Sequence, residues 1–282
     1  MTAGAARKND KGLHNRGCEL AVKRHFAPVS DHPLPPPPPA LLTDAALFLD
    51  FDGTLTPITD TPDGVIVDDG LVQLLLALRE RLDGRLAIVS GRSIETLRTL
   101  GFADFLLAGT HGLEFARPGG AIAAPTRLAA IDDAEAAFNA FAADKPGVLV
   151  ERKSISVGLH YRGAPAWQDA AHALARQWAD QDGLALQQGK MLYELRPGGA
   201  DKGSAVHALM AQGPMAGGVP VFQVALVFIG DDVTDEEGFA AAAELGGVGI
   251  LVGPVRQTRA AYNLEQVAAV RHYLREGVAR LA

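Results

Sequence analysis

Several short apolar runs in this chain end abruptly in polar residues, and this pattern limits the fold more than any other feature. In LFLDFDGT, Asp50 and Asp52 follow a run with the character of a buried strand. LAIVSGR ends in the same way at Ser90 and Arg92, and ALVFIGDD ends in two further aspartates. Short apolar strands that alternate with amphipathic helices indicate a parallel sheet covered on both faces. We therefore predict an α/β fold with a doubly wound parallel-sheet core.

The middle of the chain has a different order of elements. Residues 117–197 read as helix, hairpin, helix, hairpin, which is typical of an antiparallel α+β unit. We predict an α+β cap domain there, inserted into a core that comprises residues 41–116 and 198–282. Residues 1–40 lack sustained periodicity and end in five consecutive prolines, so we predict a disordered tail and a stiff Pro-rich linker. A ligand for an SH3-type domain is the alternative for that segment.

Composition narrows the possible functions. The 282 residues are 48% hydrophobic and 21% charged, which is usual for a globular protein. The net charge of −7 argues against a nucleic-acid partner, and the absence of a long apolar run argues against a membrane-spanning helix. The single cysteine, Cys18, excludes an internal disulfide and a cysteine zinc site. We expect a cytoplasmic protein with no nucleic-acid or membrane partner.

The polar clusters are expected to meet at one edge of the sheet, because ligands bind beyond the carboxyl ends of parallel strands. Asp50 and Asp52 would point to the same side of an extended strand. With Asp231, Asp232 and Asp235 they would repel one another unless a cation lay between them. Ligation by oxygen alone favours Mg²⁺, which commonly binds phosphate oxygens as well. These residues therefore predict a magnesium and phosphate site.

Each of these features also has a simpler interpretation. An Asp-x-Asp pair is often a turn, Ser-Gly-Arg is often a helix cap, and Thr234 and Glu237 have the spacing of a capping box. Lys202, at the start of a predicted helix, would favour an anion there. The order DFDGT, SGR, Lys202, GDD, each at a strand end or helix start, supports a phosphate site. His111, in GTHGLE at a predicted strand end, is the histidine that we expect to line it.

These strings resemble the motifs of the haloacid dehalogenase superfamily of phosphatases and phosphotransferases. DFDGT (50–54) looks like its first motif, Ser90 its second, Lys202 its third and GDDVTDE (230–236) its fourth. The strings ERKSISVGLHYR and GKMLYELRP resemble those of the trehalose-6-phosphate phosphatases within it. The resemblance covers residues 44 to about 240 and says nothing of the tail. It departs at Asp201, where family members often have asparagine.

The resemblance implies the Mg²⁺-dependent hydrolysis of trehalose 6-phosphate through an aspartyl phosphate. Asp50 is then the nucleophile and Asp52 the general acid and base. Mg²⁺ is expected to bind Asp50, the main-chain carbonyl of Asp52 and Asp231, while Asp232 and Asp235 act through waters or outer hydrogen bonds. The other catalytic residues are expected to be Ser90 and Lys202. The residues expected to bind the substrate are Gly91, Arg92, His111, Glu151, Lys153, Arg162, Lys190 and Glu194.

The charged residues of the cap also fit a sugar, because hydroxyl groups need both donors and acceptors; a solvated charged hairpin is the simpler alternative. Another sugar phosphatase or a phosphohexomutase of the same superfamily would have similar core motifs. A sugar-phosphate sensor without activity is a third possibility, although the nucleophile, the acid/base residue and the lysine are all present. The sequence does not indicate whether a trehalose-6-phosphate synthase binds as a partner.

Overall fold

The computed structural model describes residue 1 and residues 34–281, except 60, 62–63, 180–182 and 212–224. The predicted disordered tail falls largely on residues 2–33, which lie outside the described residues, so it stays a prediction. The described strands are β1 (Ala45–Leu49), β2 (Leu86–Val89), β3 (Leu106–Gly109), β4 (Glu114–Ala116), β5 (Leu149–Arg152), β6 (Val157–His160), β7 (Leu184–Gly189), β8 (Leu192–Pro197), β9 (Ala225–Gly230), β10 (Val248–Val252) and β11 (Tyr262–Leu264).

Helices separate most of these strands. Within the described ranges they are α1 (Asp69–Arg81), α2 (Ile94–Leu97), α3 (Ala129–Ala142), α4 (Gln168–Ala179), α5 (Lys202–Met210), α6 (Glu236–Glu244) and α7 (Val267–Arg280). No helix in these ranges is both long enough and apolar enough to cross a membrane. The prediction from sequence did not include β4, β11 or α7.

The larger sheet has seven strands in the order β11-β10-β9-β1-β2-β3-β4. Neighbouring strands are parallel throughout, except that β4 pairs antiparallel with β3. This exception arises because only a short turn separates β3 from β4, whereas a parallel pair needs a longer crossover connection. The predicted α/β fold with a parallel-sheet core is confirmed, with an antiparallel strand at one edge.

The central strand β1 explains why its sequence is continuously apolar. Ala45, Leu47 and Leu49 pack into a cluster with α1 and α7 on one face of the sheet. Ala46 and Phe48 pack into a second cluster with α5 and α6 on the other face. A strand that is covered on both faces needs apolar residues at every position.

The smaller sheet has four antiparallel strands in the order β5-β6-β8-β7. One of its faces packs on α3 and α4 around Phe138, Leu159 and Leu195. The turns of its two hairpins are residues 153–156 and 190–191. We call residues 153–156 the cap turn.

The proline-rich segment packs against the larger sheet. Pro38 has the polyproline II conformation, with φ −68° and ψ 135°, as its sequence predicts. The Pro35 carbonyl accepts a hydrogen bond from the Asn263 amide at 3.0 Å, and the Pro38 carbonyl accepts one from the Tyr273 hydroxyl at 3.3 Å. Pro35 and Pro38 are therefore held against β11 and α7.

Phe138→Ala tests the apolar cluster of the smaller sheet. Phe138 is fully buried, so we expect a loss of about 3–5 kcal/mol in the free energy of unfolding from lost burial and a residual cavity. Urea unfolding followed by circular dichroism measures this loss. Leu149→Ala is the matched control, because Leu149 lies on β5 but is 52% exposed, and it should cost less than about 1 kcal/mol. Equal losses would contradict this packing.

Candidate active site

The carboxyl ends of β1 and β9 bring together aspartates that are distant in sequence. The two strands are parallel, with Leu49 opposite Ile229, and the Asp50 amide donates to the Ile229 carbonyl at 2.9 Å. Asp231 follows β9 directly, and Asp235 closes the next 3₁₀ turn. One side-chain oxygen from each of Asp50, Asp231 and Asp235 lies within 4.8 Å of the others.

Lys202 lies between two of these carboxylates. Its ammonium donates to Asp50 Oδ1 at 2.6 Å and to Asp235 Oδ1 at 2.7 Å, and all three residues are buried. The second Asp235 oxygen accepts from the amides of Asp231 and Asp232. Such buried charges are tolerated only when they are paired and hydrogen-bonded.

The start of α5 sets the position of Lys202. Asp201 is the N-cap of this helix and forms a reciprocal capping box with Ser204. A capping aspartate serves as well as asparagine at this position of a helix, so the departure from the family pattern at Asp201 leaves the helix start intact. Gly203 permits close packing, because a Cβ there would lie 2.5 Å from the Glu237 carbonyl oxygen.

Burial and mutual repulsion shift the pKa values of the carboxylates. Burial raises the pKa of Asp50 well above its usual range, and Asp235 raises it further, although Lys202 opposes both. Burial, with the charge of Asp235, also raises the pKa of Asp231 to about 7. Burial alone would lower the pKa of Lys202, but its two carboxylate partners outweigh that effect and raise it.

The cluster has the character of a cation site. With all its carboxylates ionised, it carries more negative charge than Lys202 balances, and all of its side-chain ligands are oxygens. Asp231 Oδ1 is buried and has no hydrogen-bond partner among the described residues. The residues present therefore fit a metal ion. Gly53 leaves the room that Asp231 needs, because at its φ of +85° a Cβ would lie 2.1 Å from Asp231 Oδ2.

A second group of polar residues surrounds the turn after β2. Arg92 forms a bidentate ion pair with Asp52, with N···O distances of 2.7 and 2.8 Å. The Ser90 hydroxyl is buried and accepts from the Arg92 amide at 3.1 Å. Residues 90–93, which we call the phosphate turn, also receive support from the amides of Thr110 and His111.

His111 packs directly on the phosphate turn. A Cβ at Gly91 would lie 2.7 Å from the His111 ring, so this contact requires glycine. The His111 side chain is buried, and burial lowers its pKa to about 3 against an opposing effect of Glu194; Lys202 and Lys153 lower it further. The imidazole is therefore neutral near pH 7.

The smaller sheet turns a polar face towards this site. Glu151, Gly158, Glu194 and Gln187 lie opposite one another on successive strands and so share one face. Gly158 lets neighbouring side chains approach closely, because a Cβ there would lie 3.0 Å from Leu192 Cδ1 and 3.6 Å from Glu151 Oε2. His160, two residues further along β6, contacts Glu151 at 2.8 Å.

The cap turn completes this polar face. Lys153 donates to Glu194 at 2.6 Å and to the Gly91 carbonyl of the phosphate turn at 3.2 Å, and Ser156 donates to the second Glu194 oxygen at 2.6 Å. Burial alone would raise the pKa of Glu194, but Lys153 outweighs it and lowers that pKa. The pKa of Lys153 is correspondingly raised by Glu194, in spite of burial. Both side chains are thus held charged at neutral pH.

A cleft of about 460 Å³ separates the polar face from the core. Lys202, His111 and Thr234 line it from the core, while Gln187 and Arg196 line it from the smaller sheet. Arg196 donates to Gln187 Oε1 at 3.1 Å and to the Ala200 carbonyl at 2.6 Å. The lining combines a buried ammonium and a buried arginine with Asp201, Glu237 and neutral donors and acceptors, so the cleft can bind both an anion and hydroxyl groups.

The sequence of the chain is similar to those of a family of known proteins. A profile of the trehalose-phosphatase family matches residues 48–268 of the chain. The chain belongs to the trehalose-phosphatase family. It is 38% identical over 246 residues to trehalose-6-phosphate phosphatase of Escherichia coli (strain K12). The matched region covers 84% of this chain and 87% of that protein. It is 40% identical over 222 residues to a probable trehalose-phosphate phosphatase of Sinorhizobium fredii, covering 76% and 81% of the two chains.

Solved structures agree with this assignment. The crystal structure of a trehalose-6-phosphate phosphatase related protein superposes with a TM-score of 0.67 at 28% identity, covering 81% of this chain and 95% of that one. The haloacid dehalogenase-like fold inferred from the sequence motifs is confirmed by this structural neighbour and by the sheet order.

Within this trehalose-phosphatase family member, the residues inferred from sequence fall into four places. Asp50, Asp231, Asp235 and Lys202 form the buried cluster, whereas the Asp232 carboxylate caps the 3₁₀ turn through the Val233 amide. The capping box of GDDVTDE is therefore Asp232 with Asp235 rather than Thr234 with Glu237. Around the phosphate turn and the polar face lie Asp52, Ser90, Gly91, Arg92, His111, Glu151, Lys153 and Glu194.

Arg162 and Lys190 lie apart from these groups. Arg162 donates to the Thr59 carbonyl of the core and to the Lys190 carbonyl, while the Lys190 side chain is exposed at its turn. Sequence reasoning missed Gln187 and Arg196. The strand period would have found Arg196, because it stands two residues after Glu194 on β8 and so shares its face.

His111 provides a test through pH. In the unfolded chain a histidine has a pKa near 6.5, whereas the folded pKa is about 3. The unfolded state therefore binds more protons between these values, so stability is lost as the pH falls through that window. Between pH 7.5 and 5.0 we expect His111 to account for a loss of about 2 kcal/mol.

Urea unfolding of the wild type and of His111→Asn at the two pH values measures this contribution. Asparagine tolerates the positive φ of this position, which is 54°. The variant should lose about 2 kcal/mol less than the wild type over the same pH range. An identical pH dependence would show that His111 is not buried as a neutral group.

Proposed function

We propose that this chain hydrolyses trehalose 6-phosphate to trehalose and inorganic phosphate through an aspartyl phosphate. Family membership supports the reaction, and the arrangement of Asp50 carries the mechanism. Its carboxylate lies at the carboxyl end of the central strand, 2.6 Å from the ammonium of Lys202, which lines the cleft. A carboxylate held beside a lysine ammonium at a strand end is suited to attack phosphorus.

In the first step, an Asp50 oxygen attacks phosphorus, and the bond from phosphorus to the sugar oxygen breaks. Lys202 stabilises negative charge on the transferring group, as oriented cations do in phosphoryl transfer. Ser90 and the phosphate turn are proposed to hold the remaining phosphoryl oxygens. In the second step, water attacks phosphorus, which releases phosphate and restores the Asp50 carboxylate.

Asp50, the main-chain carbonyl of Asp52 and Asp231 are proposed to hold Mg²⁺, with Asp235 next to them. Bound Mg²⁺ would supply positive charge against the phosphoryl oxygens. Asp235 also orients the loop, because it accepts hydrogen bonds from the amides of Asp231 and Asp232. The orphaned Asp231 oxygen and the surplus of carboxylates support this assignment.

Asp52 is proposed to donate the proton that the leaving sugar oxygen needs, and then to remove a proton from the attacking water. In the structure, Asp52 is paired with Arg92. We propose that Arg92 exchanges this carboxylate for phosphate oxygens when substrate binds, since its guanidinium fits either partner in a bidentate manner. Asp52 would then be free to carry the proton.

The sugar is proposed to bind the polar face of the inserted α+β cap, residues 117–197. Glu151, Lys153 and Glu194 there offer charged acceptors and a donor beside Gly158, and Arg162 and Lys190 would add contacts at the rim. Sugar hydroxyls both donate and accept hydrogen bonds, so a face of mixed charge matches them. This complementarity supports a disaccharide phosphate over a simple phosphate ester.

Asp50→Asn tests the nucleophile. The asparagine still accepts a hydrogen bond from Lys202, so the fold should persist, but it cannot form an acyl phosphate. We expect phosphate release from trehalose 6-phosphate to fall at least about a thousandfold, and EDTA to abolish it in the wild type. The assay would compare trehalose, glucose, sucrose and mannose 6-phosphates.

The panel separates the possible failures. Preference for trehalose 6-phosphate supports both the chemistry and the sugar site. Metal-dependent release from a different sugar phosphate would keep the mechanism and overturn the specificity. Turnover by Asp50→Asn comparable to the wild type would exclude Asp50 as the nucleophile.

A further inference from the structure

The cap turn contacts the core at two points. The Lys153 ammonium donates to the Gly91 carbonyl at 3.2 Å, and the Ser154 hydroxyl donates to a side-chain oxygen of Glu114. Both partners in the core adjoin the phosphate turn, Gly91 as a member and Glu114 as a direct neighbour. The two lobes therefore meet where the reacting phosphate would lie.

Glu114 contacts both lobes with its two carboxyl oxygens. It begins β4, is only 1% exposed, and is not used in the proposed chemistry. While Oε1 accepts from Ser154, Oε2 accepts from the Ile94 amide at 2.7 Å, in the first turn of the helix that follows the phosphate turn. Gly109 makes this approach possible, because a Cβ there would lie 2.8 Å from both Glu114 Oε2 and the Ile94 nitrogen.

Arg127 holds the cap turn from the opposite side. Its guanidinium donates to the carbonyls of Lys153 and Ser156 at 2.7 and 3.0 Å, and it is itself paired with Asp132 and Glu135. The cap turn is thus braced by its own lobe. Because the turn is braced, a displacement at Ser154 would move the Lys153 ammonium with it.

We propose that Glu114 is a positioning residue whose hydrogen bond to Ser154 fixes the cap turn over the phosphate turn. This proposal rests on the proposed function, because the fixed cap turn would then present Lys153 to the sugar of a sugar phosphate. A phosphate ester without a sugar needs the core alone and gains nothing from the contact. The Glu114–Ser154 pair therefore selects for substrates that span both lobes.

Ser154→Ala tests the contact without disturbing the core. Ser154 is exposed, so the variant should still fold, with a small loss of stability because the buried Glu114 carboxylate loses one partner. We expect the KM for trehalose 6-phosphate to rise about tenfold, the effect of losing one hydrogen bond to a carboxylate, while kcat changes less than about twofold. Hydrolysis of p-nitrophenyl phosphate should be unchanged, and Ser154→Thr, which retains the hydroxyl, should restore the KM.

Two kinetic results would overturn the proposal. One is an unchanged KM in Ser154→Ala. The other is an equal loss on both substrates, because that would indicate general damage to the phosphate turn. The wild type in the same assay reports on the proposed function separately, since its failure to hydrolyse trehalose 6-phosphate would refute the substrate alone.

Amide hydrogen exchange tests the contact independently of any substrate. Peptides that contain residues 153–156 and 91–97 should exchange faster in Ser154→Ala than in the wild type, and Ser154→Thr should restore protection. Peptides from α7 serve as an internal control and should not change. Unchanged exchange in both test regions would overturn the contact even if the enzyme acts on another sugar phosphate.

Discussion

The pairing of Lys202 with Asp50 and Asp235 is the interaction on which the rest of this site depends. The three residues come from a strand end, a helix start and a 3₁₀ turn, and they are buried together. Loss of Lys202 would leave two buried carboxylates without their cation, and breaking a buried pair in this way commonly costs about 3–5 kcal/mol. The parallel pairing of β1 with β9 and the packing of α5 on α6 therefore have to be accurate, because they alone bring these charges within hydrogen-bonding distance.

The two lobes contribute different groups to the site. In the proposed mechanism the core supplies the nucleophile, the lysine and the cation-binding carboxylates, all of which would act on the phosphoryl group of any ester. The smaller sheet supplies Glu151, Lys153 and Glu194, which are held in position by ion pairs with one another and with His160. Substrate selection in this account depends on how the two lobes meet, and the cap turn is the element that contacts the phosphate turn directly.

The sequence predicted those parts of the site that depend on local pattern. Asp50, Asp231 and Lys202 stand at strand ends or a helix start, so hydrophobic periodicity and strand polarity locate them. It did not predict β4, because three residues carry too little periodic signal. Glu114 and Arg127 were likewise hidden, because their roles depend on partners 20 to 40 residues away or on the opposite lobe. The proline-rich segment was predicted as a linker, since composition does not reveal the contacts with Asn263 and Tyr273 that hold it.

Trapping of the phosphorylated enzyme tests the central claim most directly. The enzyme would be mixed with excess trehalose 6-phosphate and Mg²⁺, quenched in acid during turnover, and reduced with borohydride, which converts an aspartyl phosphate to homoserine. Peptide mass spectrometry then locates the modified residue. We expect homoserine at position 50, in a yield that depends on substrate and disappears in Asp50→Asn. Rapid phosphate release without modification at Asp50, or modification at another aspartate, would contradict the assignment of Asp50 as the nucleophile.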